Sequence, residues 1–340
     1  MQNICMIGHG MMGIWHSEAL QGRADVKLHT LVGKSQPAAA AFAAQYGFAH
    51  ATTDLHHAIN QPEIDAVIIA GPSEIHAAMA MAVIKAGKHL LVEIPLAMTL
   101  EAAQAVVTAA ERANLTLAVS HPMRFRPERT ELLRRIQAGG ERPRHIHGRF
   151  FIHRLVNIGA TGLKRSWIDN ILWHHSAHLI DLGLWLLGGG DAEAAEGKIR
   201  DVKSFMSDLD PHTGTPMEVV ILIETHDDQS ILATGSYYGK ERIYDTHVVT
   251  DKDSYRLDEL TAEITTGAGR ERAMSEHENA FFIARDFVEA LNQNRPPLVT
   301  GRAVLPSLRV LHRVQADWDT RNGVQDIPGR PLDQLQQPIT

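Results

Sequence analysis

Residues 4–13 of the chain read ICMIGHGMMG, an apolar run that ends in three spaced glycines. In this G-x-G-x-x-G arrangement Gly8 permits a tight turn, Gly10 lets the backbone approach a pyrophosphate, and Gly13 lets the following helix pack close to the strand. Free N–H groups at the start of that helix would favour phosphate. The segment predicts a dinucleotide-binding turn. The residues predicted to contact the cofactor here are Gly8, Gly10, Met11, Met12 and Gly13.

Short apolar runs alternate with helical patterns through the first third of the chain. Further strands are predicted at 26–32, 66–70, 90–92 and 117–119, with helices between them. Runs that are apolar throughout are typical of parallel strands covered on both faces. Residues 1–121 are therefore predicted to form a doubly wound parallel α/β sheet of the Rossmann type, with right-handed crossovers.

The pattern changes after His121, where strand-like runs follow one another without long helices between them. The predicted strands are 145–152, 202–206, 217–225, 230–237 and 242–250, and the predicted helices are 172–187, 278–292 and 308–318. Residues 122–340 are therefore predicted to form an α+β substrate-binding domain on a largely antiparallel open sheet. Amphipathic strands would leave one apolar sheet face uncovered, which favours a homodimer across that face, or a tetramer of such dimers.

Composition restricts the classes of function. The chain has 340 residues with 33 Lys and Arg against 40 Asp and Glu, so no basic footprint for nucleic acid is expected. No apolar stretch approaches the roughly 20 residues of a membrane span. The single cysteine, Cys5, lies in the first apolar run and suits a reducing compartment. With a strand starting close to Met1 and no signal peptide in view, a cytoplasmic protein is expected.

The end of the second predicted strand favours NADP over NAD. An NAD-preferring site usually carries an acidic residue about 20 residues after the glycine motif, where it binds the ribose hydroxyls. This chain has Gly33, Lys34 and Ser35 in that region and no carboxylate. An ammonium and a hydroxyl can hold a 2′-phosphate by charge and hydrogen bond. These residues are therefore predicted to bind NADP, with NAD as the other cofactor considered.

Two further motifs accompany the later strands of the first domain. Residues 71–76 read GPSEIH, and residues 86–89 read AGKH before an apolar strand that ends in Glu93-Ile94-Pro95. With the glycine motif, these segments resemble the Gfo/Idh/MocA oxidoreductase family over nearly the whole chain. Ile94 stands where that family usually has its catalytic lysine. The resemblance implies a nicotinamide cofactor whose site includes Gly71, Pro72, His76, Glu93, Ile94 and Pro95.

A set of less common segments resembles one branch of this family. Residues 93–97 read EIPLA, residues 121–125 read HPMRF, and residues 165–167 (RSW) lead into residues 172–175 (LWHH). Together they are similar to enzymes that oxidise the cyclic hemiacetal of a small dicarboxylate to a pyrone dicarboxylate. The resemblance therefore implies a small dicarboxylate substrate.

A dicarboxylate needs fixed positive charge in its site. Arg124 and Arg165 are suitable, because a guanidinium pairs bidentately with a carboxylate and stays protonated. Ser166 would add a hydrogen bond, and Trp167 would cover a flat ring and exclude water, close to both substrate and cofactor. Arg124 follows the last parallel strand, at the edge where open α/β sheets bind their ligands.

His174 and His178 are the candidate catalytic residues, because they lie four apart on a predicted helix and share one face. A neutral histidine can accept the hydroxyl proton while hydride leaves the same carbon. With Asp181 they resemble the family's D-x-G-x-H-x-x-D helix motif, which favours His178 as the base and His174 as a binding or orienting residue. The two roles are exchangeable, and Asp181 would orient a histidine or cap local structure.

Other functions remain open at this stage. Two histidines four apart with Asp181 also fit a metal site, although a nicotinamide cofactor already supplies the electron sink, so no metal is predicted. A sugar or cyclitol dehydrogenase is the first alternative, but it would favour neutral donors over Arg124 and Arg165. A non-catalytic NADP-binding sensor is the second, because Ile94 replaces the usual lysine.

Overall fold

The first part of the molecule is built on one parallel sheet. The computed structural model describes residues 1–159, 162, 167, 170–261, 263–272 and 276–323. The strands of the first sheet are β1 (Gln2–Ile7), β2 (Val26–Val32), β3 (His50–Thr52), β4 (Ala66–Ile69), β5 (His89–Val92) and β6 (Leu117–Val119). Their order is β3-β2-β1-β4-β5-β6, and every neighbouring pair is parallel. The predicted Rossmann sheet is confirmed.

Helices cover this sheet between the strands. They are α1 (Met11–Leu20), α2 (Gln36–Tyr46), α3 (Leu55–Ile59), α4 (His76–Lys85) and α5 (Leu100–Arg112). The central strands β1, β4 and β5 are buried on both faces, which explains their continuous apolar sequence. The short β3 and α3 have no counterpart among the predicted elements, because neither is long enough to show a hydrophobic period.

The second part of the molecule is built on an eight-stranded sheet. Its strands are β7 (Pro143–His153), β8 (Ile199–Met206), β9 (Glu218–Thr225), β10 (Ser230–Ser236), β11 (Tyr238–Thr250), β12 (Ser254–Asp258), β13 (Glu263–Thr266) and β14 (Gly269–Arg272). Their order is β14-β13-β12-β11-β7-β10-β9-β8. β7 and β10 are parallel and the other neighbouring pairs are antiparallel, so the predicted largely antiparallel sheet is confirmed.

One face of the second sheet is covered by helices. The helices of this part are α6 (Pro127–Gln137), α7 (Ala177–Leu187), α8 (Ala192–Glu196), α9 (Glu276–Gln293) and α10 (Leu305–Asn322). Helix α7 is buried along its length and packs on β7, where a Cβ added to Gly148 would lie 2.8 Å from Leu179. A π-helical turn, Leu172–Ser176, leads into α7 and carries His174. No described helix is long and apolar enough to span a bilayer.

The chain returns to the first sheet after completing the second. Ile283, Phe287 and Val288 of α9 lie in the same hydrophobic core as Ile4 of β1. Farther along, the Val119 N–H donates to the carbonyl of Val299 at 3.0 Å. The last strand of the first sheet ends at Val119, and part of the segment beyond it packs back onto that sheet, so the division of the chain at 121/122 stays a prediction.

The other face of the second sheet differs from the prediction. Phe205 on β8 and its register partner Val220 on β9 are exposed, as an apolar face requires. Farther across the sheet, however, Asp245 on β11 accepts hydrogen bonds from Arg149 on β7 and Arg256 on β12, so that part of the face is charged. The predicted apolar face thus carries exposed apolar residues on β8, β9 and β11, with a charged patch on β7, β11 and β12. A symmetric dimer across it stays a prediction.

Candidate active site

The glycine turn between β1 and α1 has the geometry of a cradle for a pyrophosphate. Gly8 has φ +102°, and a Cβ there would lie 2.4 Å from the carbonyl oxygen of Ala70. A Cβ on Gly13 would lie 2.5 Å from the carbonyl oxygen of Gly8, so the helix must start close to the strand. A Cβ on Gly10, in contrast, would meet no described atom within 4 Å. Gly10 therefore leaves open backbone at the helix N-terminus, which fits a bound dinucleotide phosphate.

Residues at the end of β2 lie beside this turn. A Cβ on Gly33 would lie 2.9 Å from Cδ2 of His9, so the absence of a side chain lets the glycine turn approach β2. Lys34 is exposed. Ser35 is the N-cap of α2, and its hydroxyl makes no capping hydrogen bond. The ammonium and the hydroxyl are thus both positioned at the strand end where a ribose would lie.

Two loops at the carboxyl ends of β4 and β5 are fastened to each other by His76. Its Nδ1 lies 2.7 Å from the carbonyl oxygen of Pro95, and its Nε2 lies 3.0 Å from the carbonyl oxygen of Gly71. The side chain is buried, and each ring nitrogen lies within hydrogen-bond distance of a carbonyl oxygen, to one of which a neutral imidazole donates. His76 thus supports the two loops, and its contact with the cofactor stays a prediction. Pro72 is exposed at the rim, and Ile94 is packed in the core, where it offers no polar group.

Glu93 is joined to the glycine-loop helix by a partner that sequence reasoning missed. Nε2 of His16, on α1, lies 2.6 Å from Oε1 of Glu93, and both residues are buried. The pair connects the helix that begins at the glycine turn with the loop that carries Glu93, Ile94 and Pro95. A histidine three residues after Gly13, directly following the apolar Ile14 and Trp15, was the available signal.

Three histidines meet where β6 ends and α7 begins. The rings of His174 and His178 lie 6.4 Å apart in an edge-to-face arrangement, as their spacing predicted. His121, just after β6, lies 5.6 Å from His178 in the same type of arrangement. His121 belongs to the HPMRF segment, whose sequence alone predicts no role for it. The π-helical turn that presents His174 is held by Asn170, whose side-chain oxygen accepts from the N–H groups of Leu172 and Trp173 at 2.9 and 3.3 Å.

Of the three histidines, His178 has the pKa that is lowered most strongly. Burial, and then the neighbouring His121, His174 and Arg129, lower its pKa well below the usual 6.5. Its Nδ1 is buried and has no hydrogen-bond partner among the described residues. Burial likewise lowers the pKa of His121, with Asp181 opposing that shift. His178 is therefore a neutral imidazole near neutral pH, which is the form that can accept a proton.

Arg124 is engaged by Asp181 rather than presented as a clamp. Its Nε donates to Oδ2 of Asp181 at 2.8 Å, and its Nη2 donates to Oδ1 at 2.5 Å. Both side chains are 1% exposed. Nδ1 of His121 lies 3.3 Å from the same Oδ2. The predicted bidentate contact of Arg124 with a substrate carboxylate is thus replaced by an internal ion pair, and Asp181 takes the orienting position beside a histidine.

Trp167 lies on the other side of the histidines. Its ring centroid is 5.7 Å from that of Tyr237, whose hydroxyl lies 2.8 Å from Nδ1 of His175. The guanidinium of Arg154 lies 5.7 Å from both the Trp167 and the Tyr237 ring centroids. The predicted substrate ligands Arg165 and Ser166 lie outside the described residues.

The site therefore combines a dinucleotide cradle with a cluster of histidines at the edge where parallel strands end. It can accept a proton at His178 and it holds charge at Arg124, Asp181 and Glu93. Among the described residues, no group of three or more His, Cys, Asp or Glu side chains is arranged to hold a metal ion. The arrangement suits proton removal next to a nicotinamide.

Comparisons with known proteins agree with this reading of the two halves. The description "Oxidoreductase family, NAD-binding Rossmann fold" (Gfo/Idh/MocA) matches residues 2–121, and "Bacterial oxidoreductases, C-terminal" matches residues 127–275. The 4-carboxy-2-hydroxymuconate-6-semialdehyde dehydrogenase of Sphingobium sp. is 28% identical over 320 residues, which cover 93% of this chain and 98% of that protein.

Levoglucosan dehydrogenase is also similar, by sequence and by structure. The levoglucosan dehydrogenase of Pseudarthrobacter phenanthrenivorans is 34% identical over 133 residues, covering 37% of this chain and 34% of that protein. A solved structure of levoglucosan dehydrogenase in complex with NADH superposes with a TM-score of 0.78 at 19% identity, covering 94% of this chain and 97% of that chain, which supports the fold. From the matched Rossmann and C-terminal regions, the chain belongs to the Gfo/Idh/MocA oxidoreductase family.

Proposed function

We propose that the protein is an NADP-dependent dehydrogenase that oxidises the cyclic hemiacetal of 4-carboxy-2-hydroxymuconate-6-semialdehyde to 2-pyrone-4,6-dicarboxylate, a step of protocatechuate 4,5-cleavage. The observation that carries this proposal is the similarity to the Sphingobium dehydrogenase of that name along almost the full length of both chains. The similarity to levoglucosan dehydrogenase of P. phenanthrenivorans, in contrast, covers little more than a third of this chain.

The chemistry of the histidine cluster supports an oxidation of this type. When bound, the oxidised nicotinamide supplies the hydride acceptor. His178 accepts the hydroxyl proton of the hemiacetal as the C–H hydride leaves the same carbon, and the carbon–oxygen bond becomes the lactone carbonyl. His178 as a residue is only partly buried, so a substrate can reach it. His174 orients the substrate.

Two buried groups position the proton acceptor. Asp181 holds Arg124 and lies 3.3 Å from His121, so the edge of the cluster is electrostatically fixed. His16 fixes Glu93 on the cofactor side at 2.6 Å. Ile94 replaces the family's usual lysine, and a hemiacetal hydroxyl is more acidic than an ordinary alcohol, so a neutral histidine is a sufficient base for this substrate.

The preference for NADP rests on the residues after β2. No carboxylate occurs from Leu31 to Ser35 to repel a 2′-phosphate. Lys34 is exposed, and the hydroxyl of Ser35 is not used in capping α2. Both groups are therefore available to a phosphate, which they would bind by charge and by hydrogen bond.

The experiment is to mix the purified protein with NADP and the protocatechuate 4,5-cleavage product, and to follow both NADPH and the pyrone. We expect the two products in equal amounts. Levoglucosan and myo-inositol, as neutral ring alcohols, test the second candidate, a sugar or cyclitol dehydrogenase, which the levoglucosan relative favours. Turnover of these alone would replace the proposed substrate. Tight NADP binding with no turnover of any alcohol would instead identify a sensor.

A further inference from the structure

A cation next to the histidine cluster has no role in the function proposed so far. Arg154 follows β7 directly, and its N–H donates to the carbonyl of Tyr237 at 2.8 Å, beyond the last register pair of β7 with β10, Phe151 and Ser236. Phe150 of β7 stacks on His175 with ring centroids 3.5 Å apart, and Tyr237, whose ring lies 5.7 Å from the Arg154 guanidinium, has its hydroxyl 2.8 Å from Nδ1 of the same histidine. Arg154 therefore lies on the face of the sheet that carries the histidines.

The surroundings of Arg154 resemble a binding site more than a structural ion pair. Its guanidinium lies 5.7 Å from the rings of both Trp167 and Tyr237, and its Nη2 donates to Oδ1 of the buried Asn157. Aromatic faces and an amide oxygen orient a guanidinium but do not neutralise it. Within the described ranges, no carboxylate lies at ion-pair distance from Arg154.

Other arginines near the site contrast with it. Arg124 is paired with Asp181, and Arg126 is paired with Glu128 and Glu259. A half-buried guanidinium held in a fixed orientation is matched to a planar carboxylate, because it offers two parallel donors. Arg154 thus offers the fixed positive charge that was predicted at Arg124.

The position of Arg154 relative to the catalytic candidates fits a substrate contact. Tyr237 bonds to His175, and the rings of His175 and His174 are 4.3 Å apart. Trp167 beside it was predicted to cover a flat ring. A continuous chain of ring contacts therefore connects Arg154, through Tyr237, His175 and His174, with the candidate base His178.

We propose that Arg154, between Trp167 and Tyr237, binds a carboxylate of the substrate and thereby selects acidic ring substrates over neutral ones. This inference rests on the proposed function and names a specificity residue for it. Arg154 is a binding residue in this proposal, and the proton acceptor remains His178.

The test is a binding measurement that needs no turnover. Isophthalate, a flat ring with two carboxylates, is titrated calorimetrically into the protein saturated with NADP, and NADP binding is measured separately. The variants are Arg154→Gln and Arg154→Lys. Arg144→Gln is the matched control, because Arg144 is an exposed arginine near the opposite end of β7.

We expect wild type and Arg144→Gln to bind isophthalate alike, and Arg154→Gln to bind it at least about tenfold more weakly. Arg154→Lys keeps the charge without the planar fork, so we expect an intermediate loss. If Arg154→Gln does not fold, weaker binding by Arg154→Lys carries the test. Unchanged isophthalate binding in the variants, or none in wild type, overturns the proposal. Weakened NADP binding also overturns it, because Arg154 would then contact the cofactor.

Failure of the proposed function is distinguishable from failure of this inference. If wild type oxidises no semialdehyde but isophthalate binding still depends on Arg154, the carboxylate site stands and the named substrate is wrong. If the semialdehyde is oxidised with the same KM by wild type and Arg154→Gln, the function stands and the role of Arg154 is wrong.

Discussion

Arg124 and Asp181 form a two-pronged ion pair in the interior, with Nε–Oδ2 and Nη2–Oδ1 distances of 2.8 and 2.5 Å. The pair connects the turn after β6 with α7, and so it fixes His121 against the helix that carries His178. Each charge is compensated only by the other and by nearby polar groups. Removal of one member would leave its partner charged in a buried setting.

We therefore predict that Asp181→Asn destabilises the protein by about 3–5 kcal/mol, the usual cost of breaking a buried pair from one side. The measurement is the free energy of urea unfolding. Glu111→Gln is the control, because Glu111 pairs with Arg302 at the surface, and it should change that free energy by about 1 kcal/mol or less. Equal effects of the two substitutions would show that the Arg124–Asp181 pair contributes no more than an exposed one.

Much of the architecture was readable from local sequence. The parallel sheet follows from apolar runs such as that of β4, and the glycine turn from the spacing of Gly8, Gly10 and Gly13, because both signals lie within a few residues. The histidine pair at 174 and 178 was likewise predictable from helical spacing. Local patterns therefore predicted the fold, the glycine turn and the pair of histidines in the site.

The remaining site contacts are tertiary, and no local pattern reports them. Arg124 was expected to bind substrate, but its partner Asp181 lies 57 residues away in the chain. His16 and Glu93 are separated by 77 residues. Arg154 lies next to Tyr237 only because β7 and β10 are neighbours in the sheet. The sequence identifies residue types that could bind a substrate, but only the folded structure shows which of them already pair with another residue of the protein.

The lowered pKa of His178 predicts where activity falls in acid. A base works only when it is neutral, and burial favours the neutral imidazole down to a pH well below 6.5. We expect kcat/KM to stay constant from neutral pH to about 6.5 and to decline only below that value. The check is a pH profile of kcat/KM with the substrate's own titration subtracted.

His178→Gln is the companion variant for that profile. We expect it to lower kcat by about 10²–10⁴-fold, the usual contribution of a general base, and to leave NADP affinity unchanged. His145→Gln is the control, because His145 bonds to Ser230 on the outer side of the second sheet. An acid limb at or above 6.5 in wild type, or full activity in His178→Gln, would exclude His178 as the base.

The end of β2 should control the choice between NADP and NAD. Lys34→Asp would place a carboxylate where NAD-preferring sites have one, and it would repel a 2′-phosphate. We expect the ratio of kcat/KM for NADP to that for NAD to fall at least about tenfold, mainly through NADP. Lys27→Asp, at an exposed position near the start of the same strand, should leave the ratio unchanged. A wild type that clearly prefers NAD would contradict the assignment.

A substitution at Gly10 should affect cofactor binding without affecting protein stability. A Cβ on Gly10 meets no described atom within 4 Å, and Gly10 has an ordinary φ of -79°, so Gly10→Ala should keep its free energy of unfolding within about 0.5 kcal/mol. The added methyl would instead lie where the backbone approaches the pyrophosphate, and we expect NADP affinity to fall at least about tenfold.

Gly8→Ala, unlike Gly10→Ala, should lower the stability of the protein itself. Gly8 has φ +102°, and its Cβ would lie 2.4 Å from the carbonyl oxygen of Ala70, so we expect a loss of about 1–3 kcal/mol or more in unfolding free energy even without cofactor. Urea unfolding and NADP titration of both variants provide the comparison. If Gly10→Ala binds NADP as tightly as wild type does, the dinucleotide does not lie over this turn. The proton-acceptor role of His178 would then lose its geometric basis, because the nicotinamide would lie elsewhere.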